Sequence, residues 1–176
     1  MNKINIIEKL TENYSLFSDY IYSLSKEEYM FTYMDKWTAG QQLDHIYRST
    51  KPLARILLLP KFFLKWLFGV ANRPSKSYED LVKKYHSKLA EGGRASGPFV
   101  PNTKTTNENL KLQNKIQFVL DQLIKSIQKY SEQELDQTIL PHPLLGKITL
   151  REMLYFTIYH VEHHHHLTKN NLSFHN

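Results

Sequence analysis

Cysteine is absent from all 176 residues of the chain. This absence excludes disulfides, thiolate nucleophiles and sulfur-ligated zinc, so any metal ion must be held by histidine, carboxylate or water. The N-terminal stretch MNKINIIEKLTENY has charges throughout and lacks the uninterrupted apolar core of a secretory signal. Internal repeats and low-complexity segments are also absent. We therefore expect a cytoplasmic protein, and the length fits one domain over residues 1–176.

A membrane-spanning segment is not expected either. Residues 52–70 form the most apolar stretch, but it contains Arg55, Lys61, Lys65 and Pro60. A cation near the centre of a bilayer costs about 2.5–3.5 kcal/mol on insertion scales, and proline interrupts a helix. The stretch instead predicts a helix end followed by a second short helix. Its aromatic residues would form a flap packed on the core or, alternatively, a patch facing lipid or a partner: Phe62, Phe63, Trp66 and Phe68.

The positive charge is concentrated in one segment. The formal net charge is +6, and residues 51–94 hold ten Lys/Arg against three Asp/Glu, while the remainder holds thirteen against fourteen. Such a segment can attract nucleic acid, an anionic membrane or an acidic small molecule, although a solvated basic surface is the plainer interpretation. No recognised nucleic-acid motif accompanies it, so we do not expect a nucleic-acid partner.

Helical periodicity dominates the chain, and no useful strand pattern is found. Amphipathic helices are predicted over residues 3–24, 38–57, 105–130 and 149–168, with shorter helices in the connections. Capping pairs mark several helix starts: Thr38/Gln41, Ser77/Asp80, Thr105/Glu108, Ser131/Glu134 and Thr149/Glu152. The loop EGGRASGPFVP offers Phe99 and Pro101 as pocket-lining candidates. The pattern predicts an all-α four-helix bundle, a fold that places metal sites in its core.

The last predicted helix, residues 149–168, carries five histidines in its final nine residues. At about 100° per residue, His160 and His164 fall on the apolar face, His163 lies at its edge, and His165 and His166 should meet solvent. Histidines at i and i+4 can both reach one divalent ion. The pair alone is equally compatible with two ordinary half-buried histidines.

Three segments together resemble the DinB-like superfamily of four-helix bundle proteins: Trp37-Thr38 followed by His45, the GPFVP loop, and PLLGKITLREMLYFTIYHVEHHHHL. The resemblance implies a DinB-like four-helix bundle with short extra helices in its connections. It also implies one divalent metal ion held by His45, His160 and His164, with Zn or Ni favoured and Fe, Mn or Cu as alternatives. Helical periodicity by itself does not select His45.

The resemblance leaves the reaction open, because characterised members include thiol-dependent S-transferases and isomerases that use bacillithiol or mycothiol, and others are described as metal-dependent hydrolases. Our leading hypothesis is a metal-dependent enzyme with an open coordination position for water or a thiol substrate. The alternative is a non-catalytic protein that binds a metal or a small ligand. No general base is assigned, because Asp44 and Glu162 should face away from the metal site.

The expected partner is a small-molecule substrate, which could be a thiol cofactor, and a homodimer is left open. We expect the substrate pocket to be walled partly by the aromatic segment 55–70 and partly by the loop 95–101.

Overall fold

The computed structural model describes residues 1–102 and 109–175, and helices dominate this part of the chain. The elements in chain order are α1 (Lys3–Ser23), α2 (Lys26–Met30), α3 (Ala39–Ile56), α4 (Lys61–Phe68), α5 (Tyr78–Ala90), α6 (Asn109–Gln128), α7 (Glu132–Gln137), β1 (Ile139–His142), β2 (Gly146–Thr149) and α8 (Leu150–Leu172). One turn of 3₁₀ helix, Gly97–Phe99, lies between α5 and α6. The predicted all-α class is therefore confirmed.

Four long helices, α1, α3, α6 and α8, form the bundle. Helix α3 packs on α6 and α8, and α1 packs on α8 and α6. Each helix turns one apolar stripe inward, as the spacing of buried residues in α1 shows: Ile6, Leu10, Tyr14, Phe17 and Ile21. The short helices α4, α5 and α7 lie in the connections, as expected. Helix α2 lies in the polar stretch after α1, where no helix was predicted.

The predicted helix starts agree with the structure wherever it describes them. Complete capping boxes begin α3 at Thr38, α7 at Ser131 and α8 at Thr149. The side chain of Ser77 caps α5 by accepting a hydrogen bond from the N–H of Asp80. The expected capping pair at residues 105 and 108 lies outside the described residues.

The sequence shows no strand pattern of useful length, and the structure contains one hairpin of two four-residue strands. Strands β1 and β2 pair antiparallel, with Ile139 opposite Thr149 and His142 opposite Gly146. Four-residue strands are too short to show a clear alternation of apolar and polar residues, and Pro141 weakens the β pattern further. Gly146 has a φ of +75°, a conformation that glycine adopts without steric cost.

Glu152 fixes the N-terminal end of α8 to its surroundings. Its side chain is fully buried, accepts two hydrogen bonds from Arg73 at 2.7 and 2.8 Å, and accepts others from the N–H groups of Lys76 and Thr149. A buried carboxylate with four donors is well satisfied, so this network holds the start of α8 in place.

Within the described residues, no helix combines the length and apolar character that crossing a bilayer requires.

Candidate metal centre

Helices α3 and α8 place three buried imidazoles together inside the bundle. His45 lies on α3, and His160 and His164 lie one turn apart on α8. Each residue is about 5% exposed. One ligand atom from each residue lies within 4.8 Å of the other two. Within residues 1–102 and 109–175, no other group of three or more His, Cys, Asp or Glu side chains lies close enough together to hold a metal ion. The structure thus brings together all three predicted ligand residues.

Hydrogen bonds at the far side of two rings set the orientation of the site. The Nδ1–H of His45 donates to the carbonyl oxygen of Phe99 at 2.6 Å, and the Nδ1–H of His164 donates to Oε1 of Gln42. Both Nε2 atoms therefore carry lone pairs and point into the site. This arrangement, in which an oxygen fixes the far nitrogen of a ligand histidine, is typical of protein metal sites.

The three Nε2 atoms converge on one point. Nε2 of His160 lies 3.1 Å from Nε2 of His45 and 3.0 Å from Nε2 of His164. A single N–H on His160 can be donated to only one of these lone pairs, which leaves the other without a donor. A divalent cation would accept all three, so the donor set fits a metal ion better than a purely hydrogen-bonded cluster.

Burial keeps the three imidazoles neutral. It lowers the pKa of His160 and His164 well below the usual value, and the neighbouring imidazoles lower the pKa of both further. Burial also lowers the pKa of His45, although the hydrogen bond to Phe99 opposes this effect. Neutral imidazole is the form that binds a metal ion, so little proton competition is expected at neutral pH.

The two carboxylates beside the ligands in sequence face elsewhere, as predicted. Asp44 accepts hydrogen bonds from Nε of Arg48 at 2.7 Å and from the N–H of Asn102 at 2.8 Å. Glu162 is exposed, and its Oε1 lies 3.9 Å from Nε2 of His166. Neither carboxylate completes a ligand set with the three histidines.

Aromatic rings enclose the histidines from two sides. Trp37 lies 5.0 Å from the ring of His45 and stacks on His164 at 6.2 Å, measured between centroids. Phe156 stacks on His160 at 4.6 Å. These contacts limit the rotation of the imidazoles and lower the local polarity, which strengthens the electrostatic interactions inside the site.

The remaining histidines of α8 separate into different environments. His163 is half-buried beside Tyr85, and His166 is exposed as predicted. The prediction for His165 was wrong, because its ring packs against Phe17 and Tyr20 of α1 at 5.6 and 4.9 Å between centroids. Helix α1 therefore covers the part of α8 that carries His165, away from the metal site.

A pocket of about 940 Å³ opens beside the three imidazoles. Its wall is mainly apolar, with Lys36 and Arg94 as exposed cations, and the loop contributes Ala95, Ser96 and Phe99. Pro101 is buried but does not line the pocket. The aromatic residues of α4 do not line it either, and from the expected segment 55–70 only Ile56 does. That part of the prediction was wrong because α4 turns away after Pro60.

Sequence reasoning missed His142, which also lines this pocket. Its Nδ1 accepts hydrogen bonds from the N–H groups of Leu144 and Leu145, each at 3.1 Å, so the ring proton is on Nε2. Burial, with a smaller contribution from the Lys84 cation, lowers its pKa to about 4. The side chain is therefore a neutral donor at neutral pH. The one sequence feature that could have indicated His142 is its position directly before Pro143, at the end of β1.

The profile of the DinB superfamily matches residues 9–167, which include most of each of the four long helices and the three imidazoles. No curated protein and no solved structure matches the chain. The profile covers most of the sequence, and the bundle with three converging histidines is the arrangement that the resemblance implied. The chain belongs to the DinB superfamily.

Proposed function

We propose that this protein is a metal-dependent enzyme in which His45, His160 and His164 hold one divalent ion, with zinc or nickel favoured. The observation that carries the proposal is the convergence of three Nε2 atoms at 3.0–3.1 Å, two of which are turned inward by hydrogen bonds at Nδ1. Three protein ligands with an open position are typical of catalytic rather than structural sites.

The bound ion would act as a Lewis acid that lowers the pKa of a coordinated water or thiol. Three neutral imidazoles leave the charge of the cation uncompensated, which favours an anionic group from water or substrate. The buried carboxylates of the described residues do not supply that charge, because Asp44 is bound by Arg48 and Glu152 by Arg73. This is why we favour hydrolysis or thiol transfer as the reaction.

The pocket supports a substrate with an apolar body. Leu53, Leu144, Met153 and Phe156 are among the apolar residues that line it. His142 would donate a hydrogen bond from Nε2 to a carbonyl or anionic oxygen of that substrate, since its other nitrogen is occupied. The exposed cations Lys36 and Arg94 would hold a carboxylate or another anionic group further out.

Metal analysis of untagged protein tests the ligand set. We expect one equivalent of metal in the wild-type protein and a large loss in each of the variants His45→Ala, His160→Ala and His164→Ala. His166→Ala is the matched control, because His166 is exposed on the same helix. Full metal occupancy in the His45→Ala variant would refute the three-histidine assignment.

A second experiment separates thiol transfer from hydrolysis. Candidate thiols are added to cobalt-substituted protein, and sulfur-to-metal charge-transfer absorption is expected if a thiol occupies the open position. Absorption that is unchanged by thiols, together with turnover of ester or amide substrates, would favour hydrolysis. An ion that exchanges no ligand and supports no turnover would instead favour the non-catalytic binding protein.

A further inference from the structure

The short helix α4 presents its apolar face to solvent. Only Leu64 of its eight residues is fully buried, whereas Phe62 and Trp66 are 74% and 76% exposed. Phe63 and Leu67 lie beside them on the same side of the helix, and the rings of Phe63 and Trp66 are 5.5 Å apart between centroids. An ordinary amphipathic helix would turn these four side chains towards the core.

The neighbouring residues extend this face into one apolar patch. We define the α4 patch as the exposed residues Leu58, Leu59, Phe62, Phe63, Trp66, Leu67 and Val70. Isolated exposed apolar residues are common on proteins, but a contiguous group of this kind usually marks an interaction surface. None of these residues lines the pocket beside the histidines, so the patch is separate from the candidate metal centre.

Cations flank the α4 patch. Lys65 lies on α4 itself, and Nζ of Lys147 lies 3.3 Å from the carbonyl oxygen of Phe68, the last residue of the helix. Lys61, at the start of α4, forms an ion pair with Glu134 at 2.7 Å, so its charge is neutralised. The flanks of α4 therefore carry a net positive charge from Lys65 and Lys147.

We propose that the α4 patch docks the protein onto the surface of an anionic lipid membrane. Exposed Trp, Phe and Leu flanked by Lys and Arg are the side chains with which a helix lies in the bilayer interface. The apolar side chains would enter the boundary between headgroups and acyl chains, and the cations would contact anionic headgroups. No described helix could span a membrane, so the contact is with the surface.

Charge and shape favour a membrane over a second copy of the chain. A symmetric dimer through this patch would place the same basic side chains of both copies near one another, and like charges repel. A protein partner would also require a complementary surface of fixed shape. A fluid bilayer surface adapts to an exposed helix and supplies the opposite charge.

Vesicle co-sedimentation tests the proposal directly. The full-length protein is mixed with vesicles of phosphatidylcholine alone or of phosphatidylcholine with phosphatidylglycerol. We expect binding to the anionic vesicles, a decrease in binding with added salt, and a blue shift of the fluorescence of Trp66, identified by comparison with Trp66→Phe. The double variant Phe62→Ser/Trp66→Ser should bind at least tenfold more weakly, and Lys65→Glu should also weaken binding.

Phe118→Ser is the matched control, because Phe118 is 62% exposed on α6 and lies outside the α4 patch. It should bind anionic vesicles as the wild-type protein does. Circular dichroism and metal content are measured for every variant, so that loss of folding is distinguished from loss of docking. The metal content also reports on the catalytic proposal independently.

Three outcomes would overturn the proposal. Wild-type protein that stays in solution with anionic vesicles would refute membrane docking. Equal binding of the double variant and the wild-type protein would show that the α4 patch is not the contact surface. A dimer detected by light scattering that disappears in the double variant would identify a second copy as the occupant instead.

Discussion

Gln42 should control the affinity of the metal centre although it is not a ligand. Its Oε1 accepts the hydrogen bond from Nδ1 of His164, and the side chain is 4% exposed. In the variant Gln42→Leu the N–H of His164 loses its acceptor inside the protein. The proton would then be as stable on Nε2 of His164 as on Nδ1, and on Nε2 it would compete with the metal ion for the lone pair.

The expected cost has two parts. Loss of the partner of a ligand histidine typically lowers metal affinity by roughly 10–100-fold, which corresponds to about 1.4–2.8 kcal/mol at about 1.4 kcal/mol per factor of ten. A buried donor without an acceptor also lowers the free energy of unfolding of the metal-free protein by about 1–3 kcal/mol. The variant Gln42→Glu keeps an oxygen acceptor and should retain most of the metal affinity.

Competition with a chromophoric chelator measures metal affinity, and thermal unfolding of the metal-free proteins measures stability. Gln117→Leu makes the same chemical change at an exposed position of α6, where the side chain donates a hydrogen bond to Asp121, and should change neither quantity appreciably. Wild-type affinity in Gln42→Leu would refute the reasoning that this hydrogen bond selects the metal-binding tautomer. An equal loss in Gln117→Leu would indicate an unspecific effect.

Three further changes test the framework of the site by equilibrium unfolding. Glu152→Gln should destabilise the protein by about 2 kcal/mol at pH 7, because a buried ion pair with the half-exposed Arg73 is broken. Burial raises the pKa of Glu152, but Arg73 and backbone N–H groups lower it more, so the folded protein holds this pKa below its ordinary value. The stabilisation is therefore present above the pKa of the unfolded chain, about 4.3, and it disappears as the pH falls through the lower pKa of the folded state. His142, with a pKa of about 4, stays neutral until the pH approaches that value, whereas the unfolded chain takes up the proton near pH 6.5. The wild-type protein should therefore lose about 3 kcal/mol more than His142→Asn between pH 6.5 and 4, and parallel pH profiles would contradict this. Gly40→Ala should destabilise by about 1–3 kcal/mol, since its new Cβ would lie 2.6 Å from the ring of Tyr29, and unchanged stability would show that this ring moves freely.

Local patterns were sufficient to predict the four long helices and two of the three ligand residues of the candidate site. The i,i+4 spacing and the apolar stripe of α8 placed His160 and His164 on the same inward face, because both follow from the geometry of a single helix. His45 could not be placed in this way. Its approach to α8 depends on how α3 is shifted and rotated against that helix, which is a tertiary property, so its assignment relied on resemblance.

The errors have the same physical origin. His165 was expected in solvent because a helical wheel describes one helix and assumes that the face opposite the core is free. In the bundle, α1 covers that face with Phe17 and Tyr20. The orienting partners Gln42 and the carbonyl of Phe99 were not predicted as partners either, because they contact the imidazoles only once α3, α8 and the loop are assembled.

The rotation of α8 about its own axis decides which of its histidines face His45. Glu152 holds the N-terminal end through Arg73, and Asn171 holds the C-terminal end. The side chain of Asn171 accepts from the N–H of Tyr33 at 3.1 Å and donates to the carbonyl oxygens of Phe31 and Trp37 at 3.3 and 3.5 Å. It therefore ties α8 to the segment that places Trp37 over the imidazoles. Because each residue advances a helix by about 100°, fixing both ends directs His160 and His164 into the centre and leaves His166 outside.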